Sequence, residues 1–207
     1  MNEAGEVFSD AGSRSSSIVS AIEQAAMRQE ALAPGSLYVT VGPPLGDPLA
    51  AALGLSIVPE ASDAYQAWWR SGGITMGHAR FRDPSAVTSR VDWLTTRSLD
   101  EAVAVIEAAG RLAPEGGVSL GPLGGVASIR LAPEEAAQIP AIESWGSAPG
   151  ARRYAMRTPW EDRTGVVWVL GEPGARRIEE YSISVESGRL LEWASYTRDG
   201  VTVRNLR

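Results

Sequence analysis

The C-terminal part of the chain alternates apolar and polar residues with a period of two, which predicts an antiparallel meander over about residues 154–206. The strands expected there are 154–158, 165–170, 177–185, 190–197 and 201–206. In the third of these strands, Tyr181, Ile183 and Val185 alternate with two serines, a pattern typical of a sheet with one buried face. Asp199-Gly200 is a strong hairpin signal between the last two strands.

A spacing of three and four residues between apolar positions predicts three helices. The first runs over about 17–33 and is stopped by Pro34-Gly35. The second begins at a capping box, Ser98-Leu-Asp-Glu101, and ends near Leu112. The third begins at Pro133, because proline is favoured in the first turn of a helix.

Shorter signals fill the remaining chain. Compact strands are expected at 37–41, 65–70 and 74–82, and the last two are joined by a glycine turn at 71–73. The Gly- and Pro-rich stretch 42–59 has room for one short helix around Leu49–Leu53. Residues 114–128 are predicted to be a glycine-rich loop. The order of a helix, strands, helices and a terminal meander indicates an α+β fold.

The amino-acid composition excludes several kinds of catalytic and binding site. The 207 residues have 44% hydrophobic and 21% charged side chains, as in globular domains, and the net charge of −6 argues against a nucleic-acid partner. All nineteen cationic residues are arginines, so lysine Schiff bases and Walker phosphate loops are excluded. The chain has no cysteine and one histidine, His78, so we expect no metal site and no cofactor.

One segment matches a catalytic motif. Gly117-Val-Ser119-Leu-Gly121 has the spacing of a nucleophile elbow, which requires a strand-to-helix turn with an acid and a histidine later in the chain. Because the single histidine is upstream, we interpret the match as chance and expect a protein without enzymatic activity. A serine hydrolase using Ser119 remains a distant alternative.

Paired acids are a second candidate for catalysis. Glu134-Glu135, Glu161-Asp162 and Glu179-Glu180 place two carboxyl groups side by side in the sequence. Neighbouring acids on a strand point to opposite faces, and the first pair suits the start of a helix. We interpret all three pairs as solvated surface groups.

Seven tryptophans against two phenylalanines is the most unusual feature of the composition. Trp68 and Trp69 are adjacent in a predicted strand, so their indoles point to opposite faces. Packing in the core or at an edge accounts for such residues. A binding interpretation places an apolar ligand or a partner in an aromatic-lined concavity. The ligand-binding candidates are Trp68, Trp69, Trp93, Trp168 and Trp193.

Several segments in this order resemble a known family. They are Ala33-Pro34-Gly35 with the strand Ser36–Val41, Gln66–Gly73 with its two tryptophans, Ala148-Pro-Gly150 with Asp162–Val167, and Ser182–Leu191 with the turn Ser-Gly-Arg-Leu-Leu. Together they look like the extracytoplasmic part of the CU044_5270-type membrane-anchored proteins of high-GC Gram-positive bacteria. The resemblance covers about residues 18–207.

By fold analogy, that outer domain is similar to the RseB and LolA class. The resemblance implies a strongly curved antiparallel sheet, a half-barrel, packed on two to three helices. It also implies a flexible tether at 1–17, a single domain at 18–207, and an extracytoplasmic location with the membrane anchor outside this chain. If Met1 is the native start, the location is cytoplasmic instead, because residues 1–17 do not resemble a signal peptide.

The implied function is a non-enzymatic binding or sensory domain. An apolar groove between the helices and the sheet would hold a lipid, a lipoprotein or a protein segment, or the domain would contact a membrane regulatory protein. The alternative is a structural protein-interaction module without a ligand cavity, dimerising through an exposed strand edge.

Overall fold

The computed structural model describes residues 36–57, 69–71, 73–82, 88–122, 128–130, 144–158 and 163–205. Its strands are β1 Leu37–Gly42, β2 Ser56–Ile57, β3 Trp69–Ser71, β4 Ile74–Arg82, β5 Thr88–Thr96, β6 Gly117–Pro122, β7 Ser128–Arg130, β8 Arg152–Thr158, β9 Arg163–Leu170, β10 Arg177–Ser184, β11 Leu190–Thr197 and β12 Gly200–Asn205. The helices are α1 Asp47–Ala52 and α2 Leu99–Leu112, with a 3₁₀ turn at Ser144–Ser147. The predicted tether at 1–17, the helix at 17–33 and the helix from Pro133 lie outside these ranges.

All twelve strands join one sheet in the order β2-β3-β4-β5-β1-β6-β8-β9-β10-β11-β12-β7. The neighbours pair antiparallel except at β6–β8 and β12–β7, which are parallel. Three strands, β2, β3 and β7, have only two or three residues. The sheet is strongly curved into a half-barrel, and the predicted α+β class is therefore confirmed.

The meander and the second helix form as predicted. Strands β8 to β12 match the five expected segments to within two residues at each end. The Ser98 hydroxyl accepts a hydrogen bond from the backbone N–H of Glu101 at 3.2 Å, and the Glu101 carboxylate accepts one from the N–H of Arg97 at 2.7 Å. The first bond satisfies a donor that the first turn of a helix leaves free, and the second ties the residue before the N-cap to that turn, so the sequence signal marks the start of α2 correctly.

One predicted loop is wrong. Within 114–128, residues Gly117–Pro122 form β6, which pairs along its length with β1. Glycine normally weakens a strand, but a β-carbon at Gly121 would overlap the ring of Tyr38 on β1. The glycines therefore permit a close approach of side chains across the strands. Strand β5, which pairs with both β1 and β4, had no clear signal in the sequence.

The main core lies between α2 and the sheet. Helix α2 packs against β1, β5, β6 and β10, so it covers strands on both sides of the junction between β6 and β8. Val39, Leu94, Ile106 and Ile178 are all fully buried there. Burial of such side chains contributes about 1.5–3 kcal/mol each and holds the curved sheet around the helix.

The other face of the meander is also covered, contrary to the prediction of one buried face. Val166, Trp168, Leu170, Tyr181 and Leu190 form a second buried cluster. The segment after the 3₁₀ turn packs on this cluster and shields it from solvent. The continuous apolar run of β9, in which the last five residues are all buried, is the sequence signal of a strand covered on both faces.

A buried carboxylate fixes the connection that follows β1. Asp92 of β5 is fully buried and accepts hydrogen bonds from the backbone N–H groups of Leu45 and Gly46, at 2.6 and 2.7 Å. These donors belong to the turn that leads into α1 and have few other partners available to them. Asp92 thus holds the short helix α1 against the sheet.

Among the described residues, no helix is long and apolar enough to span a membrane.

We expect Asp92→Asn to lower the free energy of unfolding by about 1–3 kcal/mol, because the amide weakens two charge-assisted hydrogen bonds. Urea denaturation followed by circular dichroism measures the change. The control is Asp100→Asn, which breaks the exposed ion pair with Arg198 at 2.9 Å and should cost less than about 1 kcal/mol. Equal losses in the two variants would contradict the structural role of Asp92.

Candidate functional site

The sheet has one weak junction, between β6 and β8. These parallel strands share a single paired position, Val118 with Met156, whereas every other neighbouring pair of strands has at least two. We call this junction the seam. On either side of this pair, β6 and β8 are not paired with each other. The backbone N–H and C=O groups that face the seam there need partners other than the neighbouring strand.

A pocket of about 210 Å³ lies at the N-terminal side of the seam. Its roof is the C-terminal end of α2, and its walls are the starts of β6 and β8. We call it the seam pocket. It is lined by Val41, Ala109, Gly110, Ala113, Pro114, Gly116, Gly117, Val118, Arg153, Tyr154 and Ala155. Most of these side chains are small or apolar, so the cavity suits an apolar group.

The lining contains two runs of consecutive residues, 116–118 and 153–155. Side chains of a strand alternate between its faces, so three neighbours can border one cavity only if the backbone edge faces it. The opposite edge of β8 is fully paired with β9. The seam pocket is therefore a slot between two strand edges that offers backbone groups as well as apolar walls.

Tyr154 closes one end of the slot. Its ring lies on Gly110 of α2, where a β-carbon would stand only 2.5 Å from Cε1 of the tyrosine. Burial raises the pKa of the Tyr154 hydroxyl, and the negative charge of Glu107 raises it further, while Arg152 and Arg111 act in the opposite direction. The hydroxyl stays neutral at physiological pH and is hydrogen-bonded to the side chain of Arg152.

Glu180 occupies the other side of the seam. It lies on β10, is 6% exposed, and accepts hydrogen bonds from the Tyr196 hydroxyl at 3.1 Å and the Ser119 hydroxyl at 3.4 Å. The backbone of Leu120 also hydrogen-bonds to this carboxyl group. The carboxyl group thus takes the place of a strand partner for β6 where β8 has diverged.

Burial raises the pKa of Glu180 from its usual 4.5 to about 8, and the nearby Glu192 raises it further, whereas the three hydrogen bonds lower it. The pKa of the Tyr196 hydroxyl is raised well above its usual value, first by burial and then by Glu180. Both groups are therefore neutral near pH 7. A neutral pair inside the core avoids the large desolvation cost of a buried charge.

Ser119 lies in the middle of β6 and is only 6% exposed. Its hydroxyl is bonded to Glu180, and the residue is on a strand, not on a strand-to-helix turn. The structural context that a nucleophile elbow requires is thus missing at this position. The side chain of His78 lies outside the described part of the structure.

The interpretation of Glu179-Glu180 as solvated acids is wrong, because both are buried, on opposite faces of β10. Glu179 accepts hydrogen bonds from Nε1 of Trp193 and from the Ser195 hydroxyl, both at 3.0 Å. Burial raises its pKa, while these two bonds and the Arg177 charge lower it. The reason is again that both faces of the meander are covered. The pairs at 134–135 and 161–162 lie outside the described residues.

The structure brings together two of the five tryptophan candidates. Trp168 and Trp193 belong to the second cluster, together with Trp145, whose ring centroid lies 5.9 Å from that of Trp193. Arg177 lies over Trp145 and Arg204 over Trp193, at 5.8 and 5.3 Å. Nε1 of Trp168 is buried without a hydrogen-bond partner in the described structure.

The remaining candidates lie elsewhere. Trp93 is 1% exposed, and its indole covers Gly77 of β4, where a β-carbon would come within 2.6 Å of Cζ2. Trp69 belongs to β3, but its side chain and all of Trp68 lie outside the described residues. The described tryptophan side chains do not line the seam pocket. A binding role for these tryptophans stays a prediction.

The residues of the seam pocket, Arg153 and Tyr154 among them, escaped the sequence analysis. Their arrangement depends on where β6 and β8 diverge, and one sequence has no local signal for that. Among the described residues, no group of three or more acids and histidines is placed to hold a metal ion.

Glu180 makes stability depend on pH. Because its folded pKa of about 8 exceeds the usual 4.5, its contribution is fully present below pH 4.5 and is lost as the pH rises through about 8. The change is on the order of 5 kcal/mol. In Glu180→Gln we therefore expect the decline in unfolding free energy between pH 5 and pH 9 to be much smaller, as measured by urea denaturation.

The control for this prediction is Glu186→Gln, an exposed glutamate in the β10–β11 turn, which should retain the pH dependence of the wild-type protein. An unchanged pH profile in Glu180→Gln would show that the carboxyl group is not neutral in the folded protein.

Comparison with protein-family models, curated proteins and solved structures found no match. The resemblance to the outer domain of CU044_5270-type proteins therefore stays a prediction, based on the segments quoted for it. What the seam pocket and the Glu180 cluster can do has to be argued from their own geometry.

Proposed function

We propose that this domain is a non-enzymatic binding or sensory domain that holds an apolar group of its ligand in the seam pocket. The observation that supports this function is the pocket of about 210 Å³ between the end of α2 and the diverging strands β6 and β8. Its position between helix and sheet is where the family resemblance implies a groove.

The size of the pocket favours a small occupant. Pockets for drug-sized ligands have volumes of about 300–1,000 Å³, so 210 Å³ suits one or two apolar side chains or part of an acyl chain. A segment of a protein or lipoprotein is therefore a better candidate than a whole lipid. An extracytoplasmic location, with the membrane anchor in another part of the parent protein, belongs to the same proposal and rests on the resemblance.

The chemistry of the cluster on the other side of the seam supports binding over catalysis. Ser119, Glu180 and Tyr196 are buried and bonded to one another, which leaves their polar atoms without access to a substrate. Within the described residues, the outer strands of the sheet, β2 and β7, have two and three residues. They offer little edge for a dimer formed by strand pairing, so we favour binding in the pocket over that alternative.

The first test is a titration with toluene, a compact apolar probe, followed by the NMR shifts of backbone amides. We expect the amides of 116–118 and 153–155 to shift in the wild-type protein. Ala113→Leu, which adds bulk at the pocket wall, should weaken this binding at least about tenfold. Ala104→Leu adds the same bulk on the exposed side of α2 and should bind as the wild type does.

Circular dichroism of both leucine variants checks that they fold. The proposal is wrong if toluene shifts no amide around the seam pocket, or if both variants bind it as the wild type does. Native and denaturing mass spectrometry of protein purified from a lipid-containing host adds a second measurement. A ligand mass seen only under native conditions, and lost in Ala113→Leu, identifies a natural occupant.

A further inference from the structure

We propose that the natural occupant of the seam pocket is an extended peptide segment that pairs with the edges of β6 and β8 facing the slot and has an acidic residue beside its apolar one. This inference rests on the proposed function, because it names the ligand class of the same site. Three features of the site support it: the two backbone edges, the volume, and the charge of the surrounding side chains.

The backbone edges are the first feature. On the N-terminal side of the Val118–Met156 pair, residues 116–118 and 153–155 face the slot from opposite sides. The N–H of Gly116 donates to the carbonyl of Ala113, so the groups that face an occupant are those of 117–118 and 153–155 that do not pair with β1 or β9. Unpaired N–H and C=O groups of a strand edge bind an extended chain through its main chain, as in other cases of strand addition. Toluene or a hydrocarbon chain fills the same space but leaves these groups without partners, at a cost in free energy.

The volume is the second feature. The pocket wall formed by α2 and the turn after it consists of glycine, alanine and proline. These small residues leave room for the side chains of a ligand. A segment in which branched apolar side chains alternate with other residues fits such a cavity better than one with successive large side chains. Alternate side chains of an extended segment point in opposite directions, so only every second one enters the pocket.

Charge is the third feature. Three arginines surround Tyr154: Arg111 in the last turn of α2, and Arg152 and Arg153 on β8. Glu107 is the acid whose charge raises the pKa of this tyrosine. Glu107 is already paired, with Arg152 at 2.8 Å and with Arg176 at 3.4 Å. Glu115, between the lining residues Pro114 and Gly116, is a second acid near the pocket. Arg111, Arg152, Arg153 and Arg176 outnumber these two acids among the described residues, in a chain whose net charge is −6. This positive balance favours an acidic side chain in the occupant.

The test uses the full chain and three synthetic peptides. The first is acetyl-Glu-Val-Ala-Val-amide. The second has N-methyl groups on the alanine and the last valine, which keeps the side chains but removes a main-chain donor toward each edge. The third replaces the glutamate with glutamine. Backbone-amide NMR shifts give the location of binding and the dissociation constant for each peptide.

We expect the first peptide to bind with shifts at 116–118 and 153–155, and N-methylation to weaken binding at least about tenfold. The glutamine peptide should bind about two- to fivefold more weakly at low salt, and this difference should shrink at high salt. Ala113→Leu should weaken the first peptide as it weakens toluene, and Ala104→Leu should not.

The remaining outcomes separate the two proposals. If toluene binds in the pocket and the first peptide does not, the peptide class is wrong while the binding function stands. If the N-methylated peptide binds as tightly as its parent, pairing with the strand edges is wrong. If neither toluene nor any peptide shifts these amides, both proposals fail.

Discussion

The carboxyl group of Glu180 links β10 to β6, across the junction where β6 and β8 pair at only one position. It lies on β10 but accepts hydrogen bonds from Ser119 and Leu120 on β6, with β8 and β9 between them in the strand order. Three strand spacings in a flat sheet amount to about 14 Å, beyond the reach of a side-chain hydrogen bond. The contact is possible because the half-barrel curves, and each of its bonds helps to hold that curvature.

This arrangement explains why the seam has two different sides. Beyond Val118, β6 loses β8 as a partner, and the neutral carboxyl group of Glu180 hydrogen-bonds to Ser119 and Leu120 instead. The same carboxyl group accepts a hydrogen bond from the Tyr196 hydroxyl. Before Val118, the turn after α2 leaves the starts of β6 and β8 apart, and no side chain fills the gap, so a pocket remains. The same divergence thus produces a closed polar cluster on one side and a cavity on the other.

Because both faces of the meander are buried, the two adjacent glutamates of β10 have raised pKa values. Adjacent acids on β10 point in opposite directions, and each enters a covered environment. Glu180 faces the main core, and Glu179 lies beneath Trp193 in the second cluster. Their pKa values are raised for the same physical reason, because a charge without water is costly. The tryptophans contribute apolar area and indole N–H donors to this arrangement, in addition to any role in binding.

The sequence by itself determined the local structure. The capping box at Ser98–Glu101, the turn at Asp199-Gly200 and the period-two alternation from residue 154 correctly identify α2 and the meander, because these features depend on neighbours within a few residues. The α+β class follows from their order. Segments whose pattern is ambiguous, such as the glycine-rich β6, were misassigned because a partner strand distant in the chain makes them strands.

Only the tertiary structure decided the site. Whether Glu180 is solvated or buried depends on the curvature that brings β6 to β10, and whether a pocket exists depends on how far β6 and β8 diverge. Neither property is local, since each depends on strands at least 30 residues apart in the chain, β6 with β8 and β6 with β10. A single sequence records the residue types at these positions but not the distances between them, and hydrogen bonding, pKa values and cavities all depend on those distances.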